Sequence, residues 1–167
     1  MKKLLILFCI LSVPFYNMYA KSQTEKIDIK APQMYVQEME EDKPCYKLAL
    51  LWLTEVVSSE NYDMDSYRVF FADSLVDVLD SYKPGFTIDF KDEELQIIKG
   101  TSNVKKGLSP WWFDYKIKIE DKKVTISFSN FKVGTKKVKI FTTMEYNNFK
   151  EITSALASSL FAYIENF

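Results

Sequence analysis

Few side chains in this sequence have the type and spacing that catalysis requires. The chain has no histidine and one arginine, Arg68, so it lacks the usual general base near neutral pH and the side chain that clamps phosphate groups bidentately. Ser102 and Lys105 have the Ser-x-x-Lys spacing of a serine nucleophile, but the sequence has neither Ser-Asp-Asn nor Lys-Thr-Gly, its companions in penicillin-recognising enzymes. We therefore predict no catalytic residues. The alternative is a hydrolase without histidine, similar to a glycosidase, that works with two carboxylates.

Acidic residues cluster at Glu38, Glu40, Glu41 and Asp42, directly before an apolar helical segment. Carboxylates at this density can hold calcium at extracellular concentrations, but they also complement the positive end of a helix without any metal. The second explanation suffices, so we predict no metal site and no cofactor. Cys45 is the only cysteine after residue 20, and we predict that it is a small buried apolar residue.

The most regular alternation in the chain lies in residues 114–131, DYKIKIEDKKVTISFSNF. Apolar and polar residues take turns on either side of a two-residue turn at Asp121-Lys122, which is typical of an antiparallel hairpin with one dry face and one open face. The pairing sets Trp112 opposite Phe131 on the open side. Aromatic rings beside lysines can stack on flat groups and attract negative charge, although the two rings could also simply cover each other. The predicted binding face comprises Trp112, Lys116, Lys118, Thr125, Ser127 and Phe131.

Charge is unevenly distributed along the chain. Residues 21–98 contain 8 basic and 17 acidic residues, whereas residues 99–139 contain 11 lysines and 3 acidic residues. The basic segment would attract an acidic partner, and its lysines would also prevent edge-to-edge aggregation of strands. The expected partners are an envelope polymer, an anionic glycan or a partner protein. We predict no binding of nucleic acid, because an exported protein rarely meets it, and no membrane span.

The segments before this hairpin are interpreted from their periodicity. Residues 25–39 alternate around Pro32 and predict an edge strand in one or two pieces. A helix follows, with Asp42 as its cap, and it is apolar nearly all round, so we predict that Trp52 is buried. A second helix is predicted over residues 65–82, where apolar residues recur at helical spacing and Lys83-Pro84-Gly85 ends the pattern.

Three further segments complete the predicted domain. A hairpin with its turn at Asp92-Glu93 would pair Phe90 with Leu95, a loop covers residues 103–110, and a C-terminal helix starts with a capping box of Asn148 and Glu151. The order is strand, helix, extra helix, four antiparallel strands and helix. This order predicts an α+β fold with two layers, in which an antiparallel sheet of about five strands has helices packed on one face.

The N-terminal residues have the layout of a secretory signal peptide. Two lysines precede an apolar run at residues 4–13, and Ala20 ends a more polar stretch. The residue before Cys9 is too bulky for a lipidation signal. We therefore expect a signal peptide at residues 1–20, a single domain at residues 21–167, and a location in the periplasm, the cell envelope or outside the cell.

Three stretches together resemble a known family. LALLWLTEVV, FTIDFKDEELQIIKGTSNV and YKIKIEDKKVTISFSNF are similar to segments of exported bacterial proteins that carry a domain of unknown function with a TATA-binding-protein-like fold. The resemblance implies a sheet with one open face and supplies no established activity. The family usually has glycine in the last hairpin turn, where this chain has Lys122. The function predicted from the sequence is a non-catalytic exported binding or structural module.

Overall fold

An antiparallel sheet of five long strands forms one layer of the computed structural model. The structure describes residues 26–28, 32–40, 42–57, 64–106, 109–134, 136–137 and 140–167. The predicted signal peptide at residues 1–20, and with it the predicted domain division, lies outside the described residues. The strands are β1 (Lys26–Asp28), β2 (Gln33–Glu38), β3 (Gly85–Asp92), β4 (Ile97–Lys106), β5 (Ser109–Glu120), β6 (Lys123–Val133), β7 (Lys136–Lys137) and β8 (Ile140–Thr142).

The main sheet has the order β2-β6-β5-β4-β3, so β2 and β3 are its edges. The short β7 pairs with the end of β6, and β1 pairs with β8 in a separate two-stranded sheet. Residues 25–39 therefore do form two strands, as the alternation allowed, and Pro32 directly precedes the second of them. Proline cannot donate a ladder hydrogen bond, so it suits the break between the two pieces.

The helices form the second layer and all pack on one face of the main sheet. They are α1 (Cys45–Leu51), which continues as a π-helical turn (Trp52–Val56), α2 (Asp73–Tyr82) and α3 (Thr143–Asn166). Tyr82 of α2 and Phe149 of α3 both contact Trp111 of β5, and Trp52 packs edge-on against Phe86 of β3. The predicted α+β fold with helices on one face is confirmed. No helix among the described residues is long and apolar enough to cross a membrane.

Trp52 is fully buried, as predicted. Its ring centroid lies 5.4 Å from that of Phe86, and its indole N–H donates to Ser159 Oγ of α3 at 3.2 Å. The tryptophan thus joins α1, the sheet and α3. The same dry layer buries Cys45, as expected, and burial raises the pKa of its thiol.

The hairpin of β5 and β6 has the predicted register. Ile119 pairs with Val124 and Tyr115 with Phe128, and both turn residues, Asp121 and Lys122, have positive φ angles of 46° and 69°. This backbone is the tight turn whose twist matches the twist of paired strands. The unbroken two-residue alternation on both sides of the turn allowed the register to be predicted.

The hairpin of β3 and β4 differs from the prediction. The turn has four residues rather than two, so Asp92 pairs with Ile97, and Phe90 pairs with Lys99 instead of Leu95. The Asp92 carboxylate accepts a hydrogen bond from the backbone N–H of Leu95 at 2.9 Å and closes this longer turn. Leu95 is left exposed.

The loop predicted over residues 103–110 was wrong, because β4 runs to Lys106 and β5 starts at Ser109. Ser102 and Val104 are buried while Thr101 and Lys105 are exposed, so the two-residue period continues through a segment whose polar composition is typical of a loop. The polar residues here belong to the solvent side of a strand.

The predicted helix starts were also wrong. Pro44, not Asp42, precedes the first residue of α1, and no side chain caps it. The helix α3 begins six residues before the predicted start, because Thr142 rather than Asn148 is its cap and forms a reciprocal capping box with Glu145. The helix predicted over residues 65–82 is a short 3₁₀ turn (Asp65–Tyr67) followed by α2 from Asp73.

Candidate functional site

The open face is the side of the main sheet turned away from the helices. Lys116, Lys118, Thr125 and Ser127 all lie on it, half-buried among their cross-strand neighbours. Trp112 also lies on it and is 39% exposed, whereas its neighbour Trp111 packs beneath the helices. The sequence therefore placed these five residues on one surface correctly, and their role in binding stays a prediction.

Phe131 is not part of the open face, contrary to the prediction. It is buried, and its ring lies 4.8 Å from that of Phe149 in α3. The reason is a β-bulge in β6: Trp112 pairs with Lys132 and Asp114 with Ser129, so Asn130 and Phe131 together face one residue of β5. Such an extra residue reverses the alternation beyond it. Lys132, not Phe131, is therefore the partner of Trp112.

A second bulge lies in β3, between Ile88 and Phe90. It turns Phe90 towards the open face, where the ring is 45% exposed and the Lys99 ammonium lies 5.4 Å from its centroid. This arrangement is a cation–π contact. Neither residue was predicted on the open face, because the predicted hairpin register was wrong. Lys99 could have been assigned from the sequence, since it follows the apolar Ile98 in a strand whose side chains alternate between the two faces.

Lys99, Lys116 and Lys118 lie close together on two interior strands of the open face. Lys99 of β4 lies directly opposite Lys116 of β5, and Lys118 follows on the same strand. Lys118 forms an ion pair with Glu120. Among the described residues, neither Lys99 nor Lys116 forms an ion pair. These two lysines lie near the middle of the sheet, and the carboxylates of Asp89 and Asp114 lie in the same region without forming an ion pair with either of them.

A shallow depression of about 440 Å³ lies beside this pair, next to the β3 bulge. Gly100 contributes backbone to its lining, and a Cβ atom at this position would lie 1.8 Å from the backbone oxygen of Thr87 and 2.8 Å from the hydroxyl of the buried Tyr115. The Tyr115 hydroxyl donates to that same oxygen at 3.3 Å. Burial, and secondly the charge of Asp89, raise the pKa of Tyr115. The depression is lined by Asp89, Phe90, Lys99, Gly100, Thr101, Asp114, Tyr115, Lys116 and Ser129.

The other polar clusters have structural explanations. Arg68 lies 3.6 Å from carboxylate oxygens of Asp73, Asp77 and Asp80, so one guanidinium compensates the acidic side of α2. Ser102, the serine of the Ser-x-x-Lys spacing, is buried and donates to the backbone oxygen of Gly85. No group of metal-ligating side chains occurs among the residues that the structure describes.

Comparison with known proteins gives a remote structural likeness. The chain is similar to a solved DUF4468 family protein, a domain of unknown function, from Bacteroides ovatus, with 10% sequence identity and a TM-score of 0.45. The match covers 82% of this chain and 89% of that one. No protein-family model matches the sequence, and no curated protein matches it either. The open face therefore has to be interpreted from its own geometry.

Proposed function

We propose that the protein is an exported, non-catalytic binding module whose open face holds a negatively charged partner. The observation that carries this proposal is the direct opposition of Lys99 and Lys116, neither of which has an ion-pair partner among the described residues. Like charges directly opposite each other on neighbouring strands destabilise a sheet. An anion between the two ammonium groups removes that repulsion and is attracted by both.

Export is supported by the signal-like residues 1–20 and by the resemblance to an exported family with a TATA-binding-protein-like fold. We expect the mature chain to begin near Lys21 and to carry no lipid. Intact-mass analysis of the protein recovered from a secreting bacterial host measures this directly. A mature N-terminus at Cys9 with attached acyl chains contradicts it.

The binding role is tested with two defined anionic probes, polygalacturonate and poly-L-glutamate, at low and high salt. The double variant Lys99→Gln/Lys116→Gln is compared with the matched control Lys47→Gln/Lys150→Gln, which removes two exposed charges from α1 and α3. We expect the first variant to bind about 30-fold more weakly at low salt and the control to bind like wild type, since each of the two close charges is worth about 1 kcal/mol in water. No salt-sensitive binding of either probe refutes the proposal.

A carboxylate-based hydrolase is the second candidate, because Asp89 and Asp114 line the same depression. A glycosidase needs two carboxyl groups about 5–10 Å apart on either side of the bond it cleaves. Asp114 accepts a hydrogen bond from the Asn130 amide at 2.5 Å, which fixes its orientation. Release of reducing ends from polygalacturonate by the wild type, lost in Asp89→Asn and Asp114→Asn, would replace the binding role with catalysis.

A further inference from the structure

The open face distributes charge and apolar surface in an unusual way. Protein–protein interfaces have an apolar centre with few charges and a polar rim. On this face Lys99, Lys116 and Lys118 lie on the interior strands β4 and β5, Lys132 lies on the interior strand β6, and the exposed apolar residues lie towards its margins. The marginal residues are Met34 and Val36 on edge strand β2, Phe90 on edge strand β3, and Trp112 towards one end of β5. This arrangement is the reverse of the one that a protein partner requires.

Hydroxyl groups fill the space between the lysines and the apolar margin. Thr101 pairs with Asp114, Asp114 with Ser129, Lys116 with Ser127 and Lys118 with Thr125. A hydroxyl can donate one hydrogen bond and accept others, so it suits partners that are themselves rich in hydroxyl groups. The surface thus offers lysine ammonium groups, hydroxyls, the carboxylates of Asp89 and Asp114, and an exposed aromatic ring on one sheet face.

The length of this surface exceeds that of a small anion. Trp112 and Lys118 are six residues apart on β5, and a strand rises about 3.3 Å per residue, so they lie about 20 Å apart. Lys116 stands between them and opposite Lys99. A single carboxylate or phosphate can contact the lysine pair or Trp112, but not both, whereas an extended chain contacts both.

We infer that the partner is an acidic polysaccharide, whose carboxylate or sulfate groups bind between Lys99 and Lys116 and whose sugar rings stack on Trp112. This inference rests on the proposed function and names its ligand class. The face of an aromatic ring carries negative potential, which matches the weakly positive C–H face of a sugar ring. Trp112 is the free platform, because the face of Phe90 is already covered by the ammonium group of Lys99. Phe90 thus holds the Lys99 ammonium on the β3 side of the depression, which Lys99 and Lys116 both line.

The test measures binding of four probes by titration calorimetry: polygalacturonate, dextran sulfate, uncharged dextran and poly-L-glutamate. Trp112 is the exposed tryptophan, since Trp52 and Trp111 are buried, so protection of its fluorescence from acrylamide reports contact directly. We expect both acidic polysaccharides to bind and to protect Trp112, and uncharged dextran not to bind. Trp112→Ala is expected to weaken binding about tenfold and Trp112→Phe much less, since loss of one stacking platform is worth this order of magnitude.

Binding of poly-L-glutamate distinguishes the proposed ligand class, an acidic polysaccharide, from the more general proposal that the open face binds anionic partners. Weak binding of poly-L-glutamate that is insensitive to Trp112→Ala supports a polysaccharide ligand. If poly-L-glutamate instead binds as tightly as the polysaccharides, or if Trp112→Ala leaves polysaccharide binding unchanged, the ligand class is wrong and an acidic protein partner takes its place. If none of the anionic probes binds, both proposals are wrong. Circular dichroism confirms that each variant is folded.

Discussion

Replacing Trp52 tests the packing that joins both layers of the fold. The side chain is fully buried, contacts Phe86 of the sheet and donates to Ser159 of α3. Trp52→Ala removes the ring and leaves a cavity, which costs about 3–5 kcal/mol in a well-packed core. That is a large fraction of the roughly 5–15 kcal/mol that stabilises a typical domain.

The hydrogen bond between Trp52 and Ser159 makes a finer comparison possible. Ser159→Ala leaves the indole N–H without an acceptor in the core, which costs about 1–3 kcal/mol. Trp52→Phe leaves no such group, because the Ser159 hydroxyl still donates to the backbone oxygen of Leu156 at 2.9 Å. We therefore expect Ser159→Ala to cost much less free energy in a Trp52→Phe background than in wild type.

Urea unfolding followed by circular dichroism measures these differences as shifts of the midpoint at constant slope. The matched control is Trp112→Ala, which removes the same side chain from the open face and is expected to cost clearly less free energy of unfolding than Trp52→Ala, because Trp112 is 39% exposed and Trp52 is fully buried. If Trp52→Ala and Trp112→Ala have the same midpoint, the core does not depend on Trp52. If the Ser159→Ala cost is equal in both backgrounds, the hydrogen bond contributes nothing.

Three further substitutions test other features, each by its effect on the unfolding free energy. Gly100→Ala is expected to cost about 1–3 kcal/mol, because its Cβ collides with the Thr87 oxygen; unchanged stability would mean that β3 does not approach β4 this closely. Lys122→Gly is expected to gain about 0.5–1 kcal/mol, since glycine adopts the positive φ of this turn without strain, and a loss would argue against the turn. Burial, and then the hydrogen bond to Glu151, raise the pKa of Tyr82 above its ordinary value of 10.0. The unfolded chain therefore loses this proton first, stability falls as the pH rises above 10, and Tyr82→Phe should make that fall shallower; an equally steep fall in the variant would contradict this assignment.

The sequence predicted the fold where a pattern ran without interruption. The β5–β6 register followed from alternation across Asp121-Lys122. The burial of Trp52 followed from a helix that is apolar nearly all round. The start of α3 was predicted wrongly because two residue pairs have the spacing of a capping box, Thr142 with Glu145 and Asn148 with Glu151. The structure uses the earlier pair. Local capping chemistry alone does not choose between them.

The prediction of one continuous helix over residues 65–82 was wrong for a different reason. Tyr67 and Phe71 have the spacing of neighbours on one helix face, and their rings stack across a single turn in which the Phe71 N–H donates to the Tyr67 oxygen at 3.1 Å, but the chain becomes extended at Ala72 and the helix does not continue. Arg68 then reaches forward to the carboxylates of α2. Apolar residues at helical spacing indicate which side chains are in contact. A single turn that makes the same contacts produces the same spacing as a full helix.

A sequence pattern also fails where a bulge interrupts it. For this reason the lysines of the open face were assigned correctly, whereas Phe90 and Phe131 were assigned to the wrong faces. Lys116 and Lys118 lie in the regular stretch of the β5–β6 hairpin, where alternation fixes the face of every side chain. Phe90 and Phe131 each lie at a bulge, where one extra residue reverses that assignment. Phe131 was expected on the open face but packs in the core against Phe149. Phe90 was expected on the apolar face but lies on the open face, in a cation–π contact with Lys99. Gly100 pairs with Ile88 at the start of the β3 bulge, and its missing side chain leaves room for the Thr87 oxygen. Two irregularities that alternation cannot show therefore decide that Phe90 lies on the open face and Phe131 does not. If the open face binds an acidic polysaccharide as proposed, Gly100→Ala should weaken that binding in the fraction that stays folded, because it displaces the strand that carries Phe90.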